Sequence, residues 1–274
     1  MEGPKPFNHK TIKVFARPLW STALLLGVAA LLLPGLASAS EYGWDGGFER
    51  LQFRVDWAQF PAGRAVIQAR EADAGRAELR IEACTNALVD GVYKVRDRIT
   101  ARTRLTGGGV RALSYKVRRR EGEEREARRA RFARHGVVYT EDLESGRTDY
   151  FPVDPATMDV VTALYATRAR GLEAGERFRI PVFDDGRGYE LTVKVVGRER
   201  LDTVLGPDTP TVKVRPRLET DGIFAREGGL WVWFTDDRRH LPVRMESRIG
   251  IGSVTARLTA VEREPGEGGR AACL

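Results

Sequence analysis

Asp236 and Asp237, with His240 three residues on, form the best acid–base candidate in the chain. A carboxylate near an imidazole can relay protons, and paired carboxylates can hold a hard cation. The pattern has a plainer reading. Adjacent residues of a strand point to opposite faces, and the pair sits between two apolar runs, where Asp commonly makes turns. His240 then reads as a solvated histidine at the start of a strand. Asp184-Asp185 has the same turn reading. His135 and His240 are the histidines beyond residue 39, and with Cys84 and Cys273 their separations do not resemble a zinc site. The chain has no H-E-x-x-H helix and no P-loop, and Gly250-Ile251-Gly252-Ser253 has the wrong order for a nucleophile elbow. These absences predict a protein that is not an enzyme and uses no metal or cofactor. A hydrolase built on Asp236, Asp237 and His240 is the minor alternative.

Two further groups bear on binding. Trp231 and Trp233 alternate, so a strand places both rings on one face and Val232 and Phe234 on the other. They read as core packing or as the wall of an apolar pocket. With Trp57 and Tyr165 they are the candidate residues for an apolar small molecule or lipid. The second group runs from Lys116 to Arg134. It sets nine positive residues among Glu121, Glu123, Glu124 and Glu126. The glutamates offset the field a nucleic acid requires, so no nucleic-acid partner is expected. A solvated face of cross-strand pairs is the first reading, and peripheral contact with an anionic membrane surface is the second. No protein partner can be named.

The elements that must position these residues are mainly strands. Leu51, Phe53, Val55 and Trp57 alternate with polar residues, the period-two pattern of a half-buried strand. A turn is expected at Phe60-Pro61-Ala62-Gly63, with Arg64–Arg70 as the partner strand. Further strands are predicted around Leu79, Tyr93–Ala101, Leu113–Val117, Val137–Leu143 and at seven places between Phe178 and Glu262. Gly122 marks a hairpin turn within the charged run. One helix is signalled near 155–170, with Asp154 as cap, Pro155 at the first turn and Gly171 at the end. So many strands with one helix predict a mainly β (α+β) fold. A large antiparallel sheet should curl into an open barrel or half-barrel, the helix packed on it.

The N-terminus reads as an export signal. Lys5, Lys10, Lys13 and Arg17 precede an uncharged apolar stretch from Leu19 to Leu33, and Ala37-Ser38-Ala39 supplies a small-x-small cleavage motif. The stretch is short of the roughly 20 residues of a membrane span. Cleavage between Ala39 and Ser40 is expected, with no cysteine there for lipid attachment. The expected organisation is a signal peptide over 1–39, one β-rich domain over 40–264, and a disordered tail over 265–274. The signal carries a net +3 of the chain's +7, leaving +4 on the mature protein. The expected location is the periplasm. An oxidising compartment permits a disulfide between Cys84 and Cys273, against the alternative of a buried Cys84 and a tail cysteine left free.

Four segments carry a family resemblance. They are Trp57–Ala65 (WAQFPAGRA), Tyr93–Arg98 (YKVRDR), Asp159–Tyr165 (DVVTALY) with Arg168 and Gly175, and Leu230–Arg244 followed by Gly252–Leu258. Together they resemble a bacterial exported family known as domain of unknown function 3108. The likeness spans nearly the whole mature chain and implies no catalytic residues. The last segment is also similar, more loosely, to the final hairpin of the periplasmic lipoprotein-carrier group. That similarity implies an open β half-barrel with a helical lid over an apolar cavity. The sequence therefore points first to a carrier of an apolar ligand, and second to a non-catalytic envelope assembly or interaction factor.

Overall fold

The computed structural model describes residues 43–73, 75–107, 109–218, 229–249 and 252–265. The export segment with Ala39 and Ser40, and nearly all of the C-terminal tail with Cys273, lie outside the described residues.

Fourteen strands form one antiparallel sheet. The first eight are β1 (Phe48–Trp57), β2 (Phe60–Asp73), β3 (Arg76–Thr85), β4 (Arg96–Thr106), β5 (Gly109–Glu121), β6 (Glu124–Ala133), β7 (Val137–Asp142) and β8 (Thr148–Pro152). A short helix, α1 (Ala87–Asp90), lies between β3 and β4, and α2 (Val160–Arg168) follows β8. The second run is β9 (Arg177–Asp184), β10 (Arg187–Thr203), β11 (Gly206–Leu218), β12 (Leu230–Thr235), β13 (Pro242–Ile249) and β14 (Gly252–Glu262). Each run is a meander of neighbours, and β14 pairs with β1 to join them. This leaves β8 and β9 as the edges, and the segment bearing α2 connects one edge to the other. The sheet is open but strongly curled. Phe183 of β9 meets Phe132 of β6 and Phe151 of β8, with ring centroids 6.4 and 5.3 Å apart.

The alternation in the sequence becomes rows across the sheet. Glu49, Ala69, Leu79, Ala101, Tyr115 and Ala130 are successive register partners from β1 to β6. All are buried. Three alanines in this row leave room for α2, which packs on β3, β4, β5 and β9. Its Val161 and Tyr165 join one core cluster, and its Ala163 joins a second with Val193, Val195, Val212, Val214, Val232 and Phe234. The helix expected as a lid is thus part of the core.

Four local expectations change. The seven strands expected between Phe178 and Glu262 are six, since β10 runs unbroken through Gly197. The first hairpin turns at Ala58-Gln59, with Trp57 opposite Phe60 and Ala58 at φ +52°. Pro61 lies inside β2 beside a register shift, where a missing N–H is tolerated. Helix α2 starts at Asp159, not Asp154, because the intervening backbone is used elsewhere. Met158 donates to Pro181 O at 3.0 Å and bridges Val182 in parallel. Tyr93 precedes β4 and is exposed, because α1 and its turn occupy that stretch. The glycine of the first motif has a clear cause: a Cβ on Gly63 would lie 2.1 Å from Cys84 O on β3.

Candidate binding surface

The acid–base candidates do not converge. Asp236 pairs with Arg198 at 2.9 Å. Asp237 caps its own turn, accepting from Arg239 N at 3.0 Å and from Thr235 Oγ1 at 2.8 Å, and it pairs with Arg239. The solvated reading of His240 is corrected: its side chain is buried, 3% exposed, at φ +43°. Its Nδ1 lies 2.9 Å from Arg168 O, which fits the neutral imidazole donating to that carbonyl. Burial pulls its pKa down. The turn carrying Asp237 folds over the end of α2, and that brings His240 inside. Asp184 and Asp185 occupy the β9–β10 turn, where Asp185 pairs with Arg128 at 3.0 Å and Tyr115 Oη donates to Asp184 Oδ1 at 3.5 Å. Burial raises the Asp184 carboxyl and the Tyr115 hydroxyl. No group of three or more metal-ligating side chains gathers among the described residues.

The apolar-ligand candidates have separate surroundings. Tyr165 is buried, its hydroxyl 3.3 Å from Glu49 Oε1 and its ring edge-on to Trp44. Trp233 is buried and donates through Nε1 to Glu199 Oε1 at 2.6 Å. Cations cover both tryptophans of β12. Lys213 and Arg244 lie over the Trp233 ring at 4.6 and 4.8 Å, and Arg215 and Arg248 over Trp231 at 5.3 Å each. Trp57 stands part-exposed at the end of β1. The rings of Tyr165, Trp231 and Trp233 are thus occupied by the protein's own groups. Cys84 is buried and disulfide-bonded.

Part of the charged run is the cross-strand-paired face expected: Arg119 pairs with its register partner Glu126 at 3.1 Å, and Arg129 with Glu141 at 3.0 Å. The rest is arranged differently. Alternation sends Ile81, Ile99 and Val117 toward the core cluster. The next residues, Glu82, Arg98, Arg118 and Ala127, form a row of register partners on the other face. One step toward the strand ends, Arg120 stands opposite Arg125, and on the same face Lys116 stands opposite Arg129. Like charges directly opposite each other across strands are unfavourable. Arg98 is relieved by Glu82 at 2.9 Å and Arg96 by Asp90 at 2.6 Å. Arg96 and Thr85 hold the Asp90 carboxyl down to about 2. Arg118, Arg120 and Arg125 are exposed and make no ion pair within the described residues.

These side chains line a groove of about 520 Å³. Arg96, Arg98, Arg118, Arg119, Arg120 and Arg125 face it, against Glu82, Asp97, Glu126 and Glu144. Glu82 is committed to Arg98, and Glu126 to Arg119 at 3.1 Å. Arg119 also lies 3.3 Å from Glu121 and 3.8 Å from Asp97. Burial, then repulsion from Glu121, raises the Asp97 carboxyl to about 6. The balance is a surplus of guanidinium groups suited to oxyanions. Sequence reasoning found the run but not its pairing, because register decides which charges stand opposite.

Comparison with known proteins agrees with this architecture. The family model described as "Protein of unknown function (DUF3108)" matches residues 52–259. The chain belongs to that family. No curated protein matches it. Among solved structures it is similar to a beta-barrel-like protein of domain of unknown function DUF1849 from Brucella abortus. The TM-score is 0.53 at 11% identity, over 80% of this chain and 99% of that one. That likeness concerns the fold alone.

Proposed function

We propose that this DUF3108 protein is an exported, periplasmic envelope factor that works by binding rather than by catalysis, with the arginine groove of β3–β6 as its binding surface for an anionic partner. The observation that carries this reading is the set Arg118, Arg120 and Arg125. They are exposed, crowded by like charge across the strands, and without an ion pair among the described residues. An oxyanion set among them relieves the repulsion and accepts several charge-assisted hydrogen bonds. Carriage of a lipid or acyl chain inside the sheet has less support. Tyr165 and Val161 of α2 pack directly against the strands, and the groove is lined almost wholly by charged residues.

Titration with tripolyphosphate, followed by calorimetry, tests the reading. Saturable binding that weakens with salt is expected, reduced at least about tenfold in R118E/R120E/R125E, since each exchange removes a charge-assisted contact. Equal binding by the variant, or none by the unaltered protein, overturns it.

A further inference from the structure

The groove opens at one end of the sheet, and that end also carries the exposed apolar side chains of two neighbouring turns. Strands β1, β3 and β5 finish there, and β2, β4 and β6 begin there. Phe60 in the β1–β2 hairpin is 74% exposed, Leu88 on α1 80%, and Val92 after it 84%. Tyr93 beside them is also exposed. Isolated exposed apolar residues are ordinary on a protein surface; a group of them on adjacent turns marks a contact surface.

These turns are fastened together. Asn86 Nδ2 donates to Pro61 O at 2.6 Å, tying α1 to the first hairpin. Arg96 grips Asp90 of α1. Gly122 N in the β5–β6 turn donates to Lys94 O at 2.8 Å. A Cβ on Gly122, which sits at φ +60°, would come 3.1 Å from the Tyr93 ring. The apolar tips and the rim of Lys94, Arg96, Arg120 and Arg125 therefore form one continuous end of the molecule.

Apolar tips beside the unpaired guanidinium groups of Arg118, Arg120 and Arg125 match the two layers of a bilayer surface. Apolar side chains enter the acyl boundary and basic ones meet phosphate at headgroup depth. Leu88 and Val92 are not buried within the fold: α1 has no buried residues, and Val92 follows it exposed. We infer that this end docks on a bilayer surface rich in phosphate-bearing lipid headgroups. Phe60, Leu88 and Val92 insert, and Arg118, Arg120 and Arg125 hold the headgroups. The inference rests on the anion-binding reading above and names its partner.

Vesicle co-sedimentation of the purified mature protein tests it, with phosphatidylglycerol–phosphatidylcholine vesicles against pure phosphatidylcholine. Binding is expected on the anionic vesicles alone. R118E/R120E/R125E should weaken it by roughly 100-fold, about fivefold for each arginine lost at the surface. L88D/V92D should weaken it by about tenfold or more, as buried apolar area is lost, while leaving tripolyphosphate binding unchanged. All these positions are exposed, and an unshifted melting temperature checks the fold. Two outcomes overturn docking but leave anion binding standing: tripolyphosphate binding without vesicle binding, or vesicle binding that L88D/V92D does not alter. Vesicle binding that vanishes once a copurifying envelope protein is removed assigns this end to a protein partner and also overturns it. Failure with both probes removes both readings.

Discussion

Glu49 of β1 and Arg168 of α2 form a bidentate ion pair, Nη1 to Oε1 at 2.7 Å and Nη2 to Oε2 at 2.9 Å, with both side chains 1% exposed. The pair joins residues 119 positions apart. Arg168 also donates through Nη2 to Arg239 O at 3.2 Å, while its own carbonyl meets His240 Nδ1. One guanidinium thus ties the first strand, the central helix and the β12–β13 turn. Its charged form is favoured by Glu49 against the cost of burial.

Removing one partner of this pair strands the other charge in the core. Arg168→Met alone should cost about 3–5 kcal/mol, the usual penalty for an unpaired buried charge. The double variant E49L/R168M should recover most of it. Urea denaturation of the two variants checks this. A double variant as unstable as the single one would show that the pair stabilises beyond satisfying its own charges.

Much of this was legible in the sequence, and the exceptions share a cause. Period-two alternation gave the strands of the meander, and Gly122 gave the β5–β6 turn. Each depends on neighbours in the chain. The buried Glu49–Arg168 pair could not be read. Glu49 looks like any polar residue at a strand start, and Arg168 like a basic residue in a last helical turn. Only the chain's path from one sheet edge to the other brings them together. The burial of His240 is hidden from the sequence for the same reason. The opposed arginines depend on register, which alternation leaves free by two residues at a time. The exposed tips needed both, since Leu88 and Phe60 read as ordinary apolar residues until their turns are placed.

Asp97 gives stability a pH slope of known sign. Its carboxyl is raised to about 6 in the folded protein, against 3.8 as a reference. Between these values the folded form holds more protons than the unfolded one, so stability falls as pH rises from about 4 to 6. Arg119 opposes the shift, and Glu121 adds to it. Asp97→Asn removes this share of the slope and keeps an acceptor for Arg120 N, now 3.3 Å from Oδ1. The variant should gain stability relative to the unaltered protein at pH 7 and show little difference at pH 4. Melting temperatures across that range decide it, and a constant difference at all pH values would exclude Asp97 as the source.

Asp159 separates capping from charge. Its Oδ1 accepts from Val161 N at 3.0 Å and Thr162 N at 2.8 Å, and its Oδ2 from Thr162 Oγ1 at 2.7 Å. Burial nonetheless raises its carboxyl to about 6. Asp159→Ala loses the cap and should cost about 0.5–2 kcal/mol. Asp159→Asn keeps the backbone acceptor, and its amide can donate to Thr162 Oγ1. It should match or exceed the unaltered protein at pH 7. Denaturant midpoints of the two variants check the contrast. An Asn variant as weak as the Ala variant would mean that the full charge is required.

The export proposed above and the disulfide of Cys84 can be tested together, because disulfides persist in oxidising compartments and rarely in the cytoplasm. Cys84 is disulfide-bonded, and the sequence holds one other cysteine, Cys273. On the proposal of export, the full chain should be recovered with Ser40 as its first residue and with no thiol that reacts after denaturation without reductant. A chain beginning at Ser40 and kept in the cytoplasm should show two reactive thiols. It should be less stable by about 2–4 kcal/mol, the usual contribution of a disulfide. N-terminal sequencing and thiol labelling read both outcomes. An unprocessed N-terminus, or free thiols in the exported protein, would count against periplasmic residence.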